Sequence, residues 1–523
     1  MRRSRWFVVV GMALAVLVFL SGCGGSEPET ESVGEAEQKD KIIVVGIKES
    51  IDTLDPALYR GRVTETVIRN MFDGLVTRTT DMEIVPELAV SWENPTPTEW
   101  IFYLREGVTF HNGDPFTADD VVYSFERIMI PESIDGESSP RSGMVGSMER
   151  VEKIDDYTVK FIFSEPWPIF LRMLPHHQMV PKNYIEEHGS AHFAQNPIGA
   201  GPFKFVRGQL DEEIVMERYD DYYGGSPDLP PVGPPAIKTA IFKVLPETAT
   251  RVAALQAGDA HIIHAVPPHL ANQLKADSNV EVKTAIGTRV FFLEFNVTKE
   301  PLDNVEVRRA INHAIDWDSI IDNVLEGYAV RTVVPAVPGC FGYNDEIKGY
   351  EYSPDKARNL LAVAGYPKGF SLVIDCESEF KDVTEAIAQM LNEVGIEASV
   401  RQWDGGVLKP KLVEGERHAS FGSWGNSTME PYDLFEPKLL PNERGNYSQY
   451  NNPEFNALFE KAAIIVDEEE RAQIYRDIQA LIVEDAPWAP GYSSQEIEAC
   501  RSNVINWEPS PDNRINLHRV DLK

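Results

Sequence analysis

The amino-acid sequence predicts an α/β protein of two or three domains. Residues 370–402 contain an apolar strand, an amphipathic helix and a second strand. This β-α-β order is typical of a domain with parallel strand pairing. Residues 100–127 add a strand, a turn and a capped helix. The chain has 523 residues, which is too long for one hydrophobic core, so we expect several domains.

The segment 100–127 reads WIFYLREGVTFHNGDPFTADDVVYSFER. Apolar residues alternate along its first half, as in a strand. Residues 112–115 (NGDP) have turn composition. Thr117 then begins a capping box that Asp120 completes, and apolar residues at helical spacing follow it over 121–128. The segment therefore predicts a strand, a turn and an amphipathic helix.

The other elements are predicted from the same periodicities. Strands are expected at 41–47, 291–296, 370–374 and 398–402, and a strand–turn–strand at 151–163. A strand followed by a helix is expected over 241–257, and Gly258 should end that helix. Further helices are expected at 63–71, 305–315, 317–325, 354–364, 382–394, 453–463 and 468–486. Gly199 and Gly201 should allow either a close backbone approach or a strained φ.

The composition excludes some partners. The formal net charge is −33 at pH 7. Binders of nucleic acid or of anionic membranes need a positive field, so we expect neither activity. An acidic surface of this kind more often serves solubility.

The N-terminus resembles an export signal. Arg2, Arg3 and Arg5 precede an apolar run, residues 6–20, that is too short to span a bilayer comfortably. Residues 20–23 (LSGC) resemble a bacterial lipobox, so residues 1–22 are predicted to be a lipoprotein signal peptide and Cys23 the lipid attachment site. The alternative is an uncleaved short membrane anchor.

Residues 23–40 contain almost no hydrophobic residue. They are predicted to form a disordered tether between the lipid and the folded body. This arrangement would place the protein in the cell envelope, lipid-anchored in the periplasm or at the outer face of the cytoplasmic membrane.

Four segments resemble the sequence motifs of one protein family and occur in the same order. They are residues 73–75 (DGL), 86–92 (PELAVSW), 100–127 and 196–203 (NPIGAGPF). The chain resembles bacterial extracellular solute-binding proteins of family 5, the peptide and nickel type that serves ABC importers. The resemblance implies a periplasmic-binding-protein-like fold (class II, cluster C), with two lobes, a hinge of two crossing strands and an extra domain.

The resemblance also implies domain limits. Domain I would comprise residues 41–75, 197–290 and 496–523. The extra domain II would comprise 76–196, and domain III 291–495. The ligand would bind between domains I and III, which would close on it.

The implied function is capture of a small organic solute, a peptide or peptide-like compound, for delivery to a membrane permease. The implied partners are this ligand, the permease and ATPase subunits, and the membrane through the N-terminal lipid; the protein itself would be a monomer. Three alternatives remain open. The ligand could be an oligosaccharide, an opine-like amide or a nickel chelate; the protein could be a ligand-presenting sensor; or it could be an extracellular hydrolase.

Candidate ligand-binding residues come mainly from residues 422–433 (GSWGNSTMEPYD). Peptide-binding members of the family carry a tryptophan and, three positions later, an aspartate for the ammonium group of the peptide. Here Trp424 matches, but Ser427 stands at the aspartate position. Lys381 could replace an arginine that related members use for a carboxylate. The candidates are Tyr59, Arg289, Trp403, Trp424, Gly425, Asn426 and Ser427.

We find no nucleophile, zincin or phosphate-loop motif, so neither catalysis nor a cofactor is expected. His261 and His264 have the spacing of a metal pair, but residues three apart on a strand point to opposite faces. We therefore predict surface histidines and no metal site.

Three cysteines remain beyond Cys23, and an odd number cannot pair completely. A disulfide between Cys340 and Cys376 is the expected pairing, with Cys500 a buried thiol.

Overall fold

The structure, a computed structural model, describes residues 40–523. The predicted signal peptide, Cys23 and the tether up to residue 39 lie outside the described residues. The strands are β1 (Ile42–Ile47), β2 (Val76–Arg78), β3 (Ile84–Pro86), β4 (Ala89–Thr96), β5 (Glu99–Leu104), β6 (Met148–Asp155), β7 (Thr158–Phe163), β8 (Phe203–Gln209), β9 (Glu213–Arg218), β10 (Thr239–Val244), β11 (Ile262–Ile263), β12 (Val280–Phe295), β13 (Ala329–Arg331), β14 (Ser371–Glu377), β15 (Glu397–Trp403), β16 (Ala419–Gly425), β17 (Trp488–Arg501), β18 (Val504–Ile505) and β19 (Asp521–Leu522).

The helices are α1 (Arg62–Ile68), α2 (Ala118–Met129), α3 (Phe170–Met173), α4 (Lys182–His188), α5 (Ser190–Phe193), α6 (Thr248–Ala257), α7 (Pro268–Leu274), α8 (Val305–Ala314), α9 (Trp317–Asn323), α10 (Pro354–Val363), α11 (Lys381–Glu393), α12 (Gly405–Val413), α13 (Tyr432–Leu439), α14 (Pro453–Ile464) and α15 (Glu468–Asp485). Short 3-10 turns occur at Ser142–Met144, Leu174–His176 and Ser378–Phe380.

Eleven of the described strands form one mixed sheet. Its order is β15-β14-β16-β12-β17-β11-β1-β10-β9-β8, and β13 pairs separately with β17. β14 is parallel to both β15 and β16, and β1 is parallel to both β10 and β11. We call the part built on β1 and β8–β11 the first lobe, and the part built on β14–β16 the second lobe.

Two long antiparallel strands belong to both lobes: β12 has 16 residues and β17 has 14. The first half of β12 pairs with the end of β17 that lies beside β11, whereas its second half lies between β17 and β16. The register shifts between Ile286 and Val290. Here an added Cβ at Gly287 would lie 2.8 Å from the carbonyl oxygen of Ser494, so the close approach requires glycine.

A separate four-stranded antiparallel sheet, β4-β5-β7-β6, packs against α2. Its hydrophobic core draws on residues between 57 and 200 and includes the edge-to-face rings of Phe102, Phe161 and Phe170. The predicted capping box opens α2: the Thr117 side chain pairs with the Asp120 backbone, and the Asp120 carboxylate accepts from the Thr117 backbone N–H at 2.8 Å.

A buried ion pair ties this extra sheet to the loop after β1. Both guanidinium nitrogens of Arg127, near the end of α2, donate to the Asp55 carboxylate at 2.9 and 2.6 Å. The two side chains are 2% and 0% exposed. A bidentate pair of this kind fixes the relative orientation of the two segments.

Most predicted elements are confirmed within one to three residues at each end. The parallel β-α-β unit is β14-α11-β15. Gly258 ends α6 with a left-handed φ of 86°. An added Cβ at Gly201 would lie 2.5 Å from the carbonyl carbon of Met71, which confirms the predicted close backbone approach. The strand predicted at 291–296 is much longer, because it continues back to Val280 as β12.

Two sequence predictions are wrong. Cys340, Cys376 and Cys500 are all buried and free, so the predicted disulfide between Cys340 and Cys376 is absent among the described residues. His264 is not on the surface: it is 3% exposed, and its Nε2 lies 2.6 Å from the side-chain oxygen of Asn513. The three cysteine thiols lie in separate hydrophobic cores, where each packs as a small apolar group.

Across residues 40–523, no helix has both the length and the apolar character needed to cross a bilayer. The domain limits given above stay a prediction.

We predict that Arg127→Met destabilises the protein by about 3–5 kcal/mol, because the change leaves the Asp55 carboxylate buried without its partner. The urea midpoint of unfolding, followed by circular dichroism, measures the loss. Arg150→Met is the matched control, since its ion pairs with Glu149 and Glu152 are exposed, and its midpoint should barely move. Equal midpoints for the two variants would contradict the prediction.

Candidate functional site

A cavity of about 430 Å³ lies where β14 and β16 end. After β14 the chain forms β15 on one side of that strand and later returns to form β16 on its other side. In open α/β sheets, ligands bind at such a switch point, outside the carboxyl ends of the strands. The lining residues are Arg289, Glu294, Glu377, Glu379, Phe380, Leu408, Lys409, Leu412, Ser420, Phe421, Gly422, Ser423, Trp424, Gly425, Ser427, Asp433, Arg444 and Tyr447.

The register break in β12 brings the first lobe to the edge of this cavity. Arg289 pairs with Gly425 of β16, and its Nη1 donates to the Ser423 hydroxyl at 3.0 Å. An added Cβ at Gly425 would lie 3.6 Å from a guanidinium nitrogen of Arg289 and equally close to one of Arg62. Arg62 begins α1, so helix α1 of the first lobe reaches the hinge side of the cavity.

Trp424 forms an aromatic wall held from two sides. Its indole N–H donates to the backbone carbonyl of Asp433 at 3.1 Å. The guanidinium carbon of Arg444 lies 5.1 Å from the centre of its ring. This geometry is a cation–π contact, and it places the Arg444 charge at the cavity surface.

A buried ion pair closes the floor of the cavity. The Lys438 ammonium, on α13, donates to Glu294 of β12 at 2.7 Å, and the two side chains are 1% and 4% exposed. The ammonium also lies 4.0 Å from the centre of the Tyr447 ring. Burial raises the pKa of Glu294, and the charge of Lys438 reduces that rise. The pair joins α13 to the crossing strand.

The remaining charges divide into paired and unpaired groups. Lys409 lies 3.1 Å from Glu377, so these two lining charges compensate each other. Within residues 40–523, Arg289 and Arg444 have no ion-pair partner, and neither do the carboxyl groups of Glu379 and Asp433. The cavity therefore offers two unpaired cations and two unpaired carboxyl groups.

A larger cavity, of about 640 Å³, lies between the extra sheet and α15. Its cations are already compensated: Arg172 and Arg471 lie 3.1 and 3.4 Å from the Glu430 carboxylate, which is fully buried. Because its central charges are ion-paired within the protein, this cavity is the weaker candidate for a charged ligand.

Four of the seven predicted site residues line the first cavity: Arg289, Trp424, Gly425 and Ser427. Asn426 is fully buried, and its side-chain amide oxygen accepts from the Thr428 hydroxyl and from the backbone N–H of Glu430. Asn426 therefore stabilises the loop after β16 from its buried side.

The other two predicted residues lie away from the cavity. Tyr59 is 1% exposed, and its hydroxyl donates to Gln178 at 3.0 Å. The Trp403 indole donates to the Asp375 carboxylate at 2.5 Å. Both aromatic side chains are held by the protein, and a ligand-binding role for them stays a prediction.

Sequence reasoning missed Asp433, Arg444, Glu379 and Tyr447. Asp433 lies beyond the 424–431 match to the family pattern, and Arg444 and Tyr447 belong to a loop without any motif. Lys381, considered above as a carboxylate partner, is not among the lining residues, and it lies 3.6 Å from Glu385. Only the tertiary fold identifies which charges line the cavity.

No group of three or more histidine, cysteine or acidic side chains in residues 40–523 is arranged to hold a metal ion. Charged and aromatic side chains supply most of the lining of the 430 Å³ cavity.

Comparison with known proteins decides the family. Residues 83–446 match the model of the bacterial extracellular solute-binding proteins, family 5 Middle. The chain belongs to this family. The solute-binding protein is 28% identical over 543 residues to heme-binding protein A of Haemophilus influenzae, with 96% of each chain covered.

It is also 28% identical over 471 residues to the dipeptide-binding protein of Escherichia coli, covering 84% of this chain and 86% of that protein. The solved structure of HbpA2 from Haemophilus parasuis superposes with a TM-score of 0.86 at 26% identity, covering 92% of this chain and 100% of that one. The predicted periplasmic-binding-protein-like α/β fold and the role of substrate-binding component of an ABC importer are confirmed.

We predict that Lys438→Met destabilises the solute-binding protein by about 3–5 kcal/mol at pH 8, because Glu294 remains buried without its partner. The pKa of Glu294 then rises further above its value in the unfolded chain. A carboxyl group of this kind binds its proton more tightly in the folded state, so the loss should shrink as the pH falls towards the unfolded value.

Urea unfolding of this variant at pH 8 and pH 5 tests both statements. Lys409→Met is the control, because Lys409 is an exposed lining lysine in an ion pair, and it should follow the wild-type pH profile. A Lys438→Met loss that is the same at both pH values would contradict the account.

Proposed function

We propose that this solute-binding protein captures a zwitterionic peptide or peptide-like solute at the 430 Å³ cavity and delivers it to a membrane permease. The observation that carries the proposal is the set of unpaired charges there. Arg289 and Arg444 suit a carboxylate, and Asp433 and Glu379 suit an ammonium group. Trp424 and Tyr447 supply flat walls for the body of the solute.

Ser427 stands where peptide-binding relatives are expected to have an aspartate, which on its own argues against a free peptide. Asp433 offers a replacement, because its carboxyl group lines the same cavity. Burial raises the pKa of Asp433, whereas the hydrogen bond from Thr428 and the charge of Arg444 lower it. An ammonium group from the ligand would favour the ionised form in the same way.

In this proposal the two lobes close around the solute by bending at the break in β12 and β17, as expected for a hinge. The closed form would dock on the permease, whose ATPase partner supplies the energy. The protein would act as a monomer and carry out no chemistry on the solute. The lipid on Cys23 would hold it at the cell envelope.

The first test is isothermal titration with di-, tri- and longer peptides, each compared with its N-acetylated and its C-amidated form. Charge-assisted hydrogen bonds contribute about 1.5–3 kcal/mol. Each blocked form should therefore bind about 10- to 100-fold more weakly than the free peptide. Binding of oligosaccharides or neutral amides in place of all free peptides would contradict the proposal.

Two variants assign the contacts. Asp433→Asn should weaken binding of the free peptide at least tenfold but leave the N-acetylated form unchanged, because that form lacks the ammonium group. Arg444→Gln should show the same selectivity for the C-terminal carboxylate. Lys381→Gln is the matched control, since Lys381 lies outside the cavity, and it should bind like wild type. Equal losses for free and blocked peptides would argue against these roles.

Lipid attachment is tested separately. Cells producing the protein are fed a radiolabelled fatty acid, and the protein is then precipitated. Label should enter the wild type and be absent from Cys23→Ser, which lacks the thiol that would carry the lipid. Cys500→Ser is the control and should be labelled normally, because its thiol is buried. Equal labelling of Cys23→Ser and wild type would contradict a lipid at Cys23.

A further inference from the structure

A second, much smaller cavity of about 70 Å³ lies in the first lobe, between α1, the β2–β3 hairpin and the C-terminal segment. Its volume is that of about two water molecules, which is enough for a single carboxylate or tetrahedral oxyanion. Four arginines line it: Arg69, Arg78, Arg514 and Arg519.

The carboxylates in contact with these arginines are too few to balance them. Asp512 pairs with Arg78 at 3.1 Å and also with Arg514. Arg514 additionally lies 2.9 Å from Glu65. Among the described residues, Arg69 and Arg519 have no carboxylate at ion-pair distance. Two carboxylates therefore lie at ion-pair distance from these guanidinium groups, and Glu508, which also lines the cavity, pairs instead with Lys283. Buried charge without compensation is costly.

Two of the guanidinium groups also have unused donors. The side chains of Arg78 and Arg514 are 4% and 6% exposed, yet the Nε of each has no hydrogen-bond partner in the described chain. Burial, followed by repulsion from Arg69, lowers the pKa of Arg78 to about 9. Burial also lowers the pKa of Arg514 to about 9, although Glu65 opposes the shift. Both shifts arise mainly from burial, and repulsion from neighbouring arginines adds to them.

Hydroxyl groups complete the lining. The hydroxyl of Thr77 accepts from Arg69 at 2.9 Å, and that of Thr79 accepts from the backbone N–H groups of Asp81 and Glu83. A hydroxyl that accepts still has its own hydrogen to donate. Both residues line the cavity; the Thr77 hydroxyl already hydrogen-bonds Glu87, so Thr79 is the one that can donate to an acceptor placed there.

We propose that this cavity is a second binding site, for one small oxyanion group of the carboxylate or phosphate type, held by Arg69, Arg78, Arg514 and Arg519. Planar guanidinium groups match such oxyanions with paired hydrogen bonds. The anion supplies negative charge that balances the arginines where Asp512 and Glu65 leave their positive charge uncompensated. The site lies in the first lobe and is separate from the 430 Å³ cavity in the second.

The oxyanion has two sources of the same chemistry. It is either a free anion from solution or the anionic end of the captured solute. The two cavities influence each other electrostatically: the Arg78 charge is among those that lower the pKa of Asp433, and Asp433 lines the 430 Å³ cavity.

The test is isothermal titration of the full-length protein in detergent with inorganic phosphate and sulfate, at an ionic strength held constant with chloride. Saturable binding of one anion is expected. Arg519→Gln should weaken it at least tenfold and should fold normally, because Arg519 is half-buried and has no ion pair to lose. Arg476→Gln is the matched control, half-buried in α15 with a hydrogen bond to Gln473, and should bind like wild type.

The proposal is overturned if neither anion shows saturable binding, or if Arg519→Gln binds as tightly as wild type. Peptide titrations with and without saturating phosphate then identify the source. Competition, together with weaker peptide binding by Arg519→Gln, assigns the site to the end of the solute; an unchanged peptide affinity assigns it to a free anion. The effects of Asp433→Asn and Arg444→Gln on peptide binding are independent of both results, so failure here is distinct from failure of the proposed function.

Discussion

The pairing of β12 with β17 is the constraint on which the rest of the structure depends. These strands are hydrogen-bonded to each other in both lobes, so one sheet continues from the first lobe into the second. The register of this pairing shifts only between Ile286 and Val290 and between Phe291 and Phe292. Backbone hydrogen bonds keep the lobes joined, and the local break is where they can bend.

The 430 Å³ cavity follows from this constraint. The second half of β12 places Arg289 beside Gly425 at the end of β16, and Glu294 beneath the cavity, where Lys438 binds it. The protein satisfies its deepest charges internally and leaves the shallower ones unpaired. A buried ion pair is costly to break, so the Lys438–Glu294 pair fixes the floor of the cavity. The unpaired groups at the surface remain available to a charged solute.

The sequence predicted local structure well and tertiary placement poorly. The capping box at Thr117 and the helix end at Gly258 depend on neighbouring residues alone, and the structure confirms both. The 424–431 pattern located Trp424 and Ser427 in the cavity, because the end of β16 and the loop directly after it carry them. Asp433 and Arg444 reach the cavity only through the fold, and Tyr59 and Trp403 are held elsewhere by Gln178 and Asp375. Cysteine pairing also depends on distances that spacing does not encode.

Hydrogen–deuterium exchange, with and without a saturating free peptide, tests the central claim most directly. The account predicts slower exchange in residues 419–433 and 444–447, which line the cavity, and at the strand break over 286–290, where the lobes bend. Exchange slowed instead around the larger cavity, at residues 92–100 and 339–341, would contradict it. So would an exchange pattern that the peptide leaves unchanged despite measurable binding.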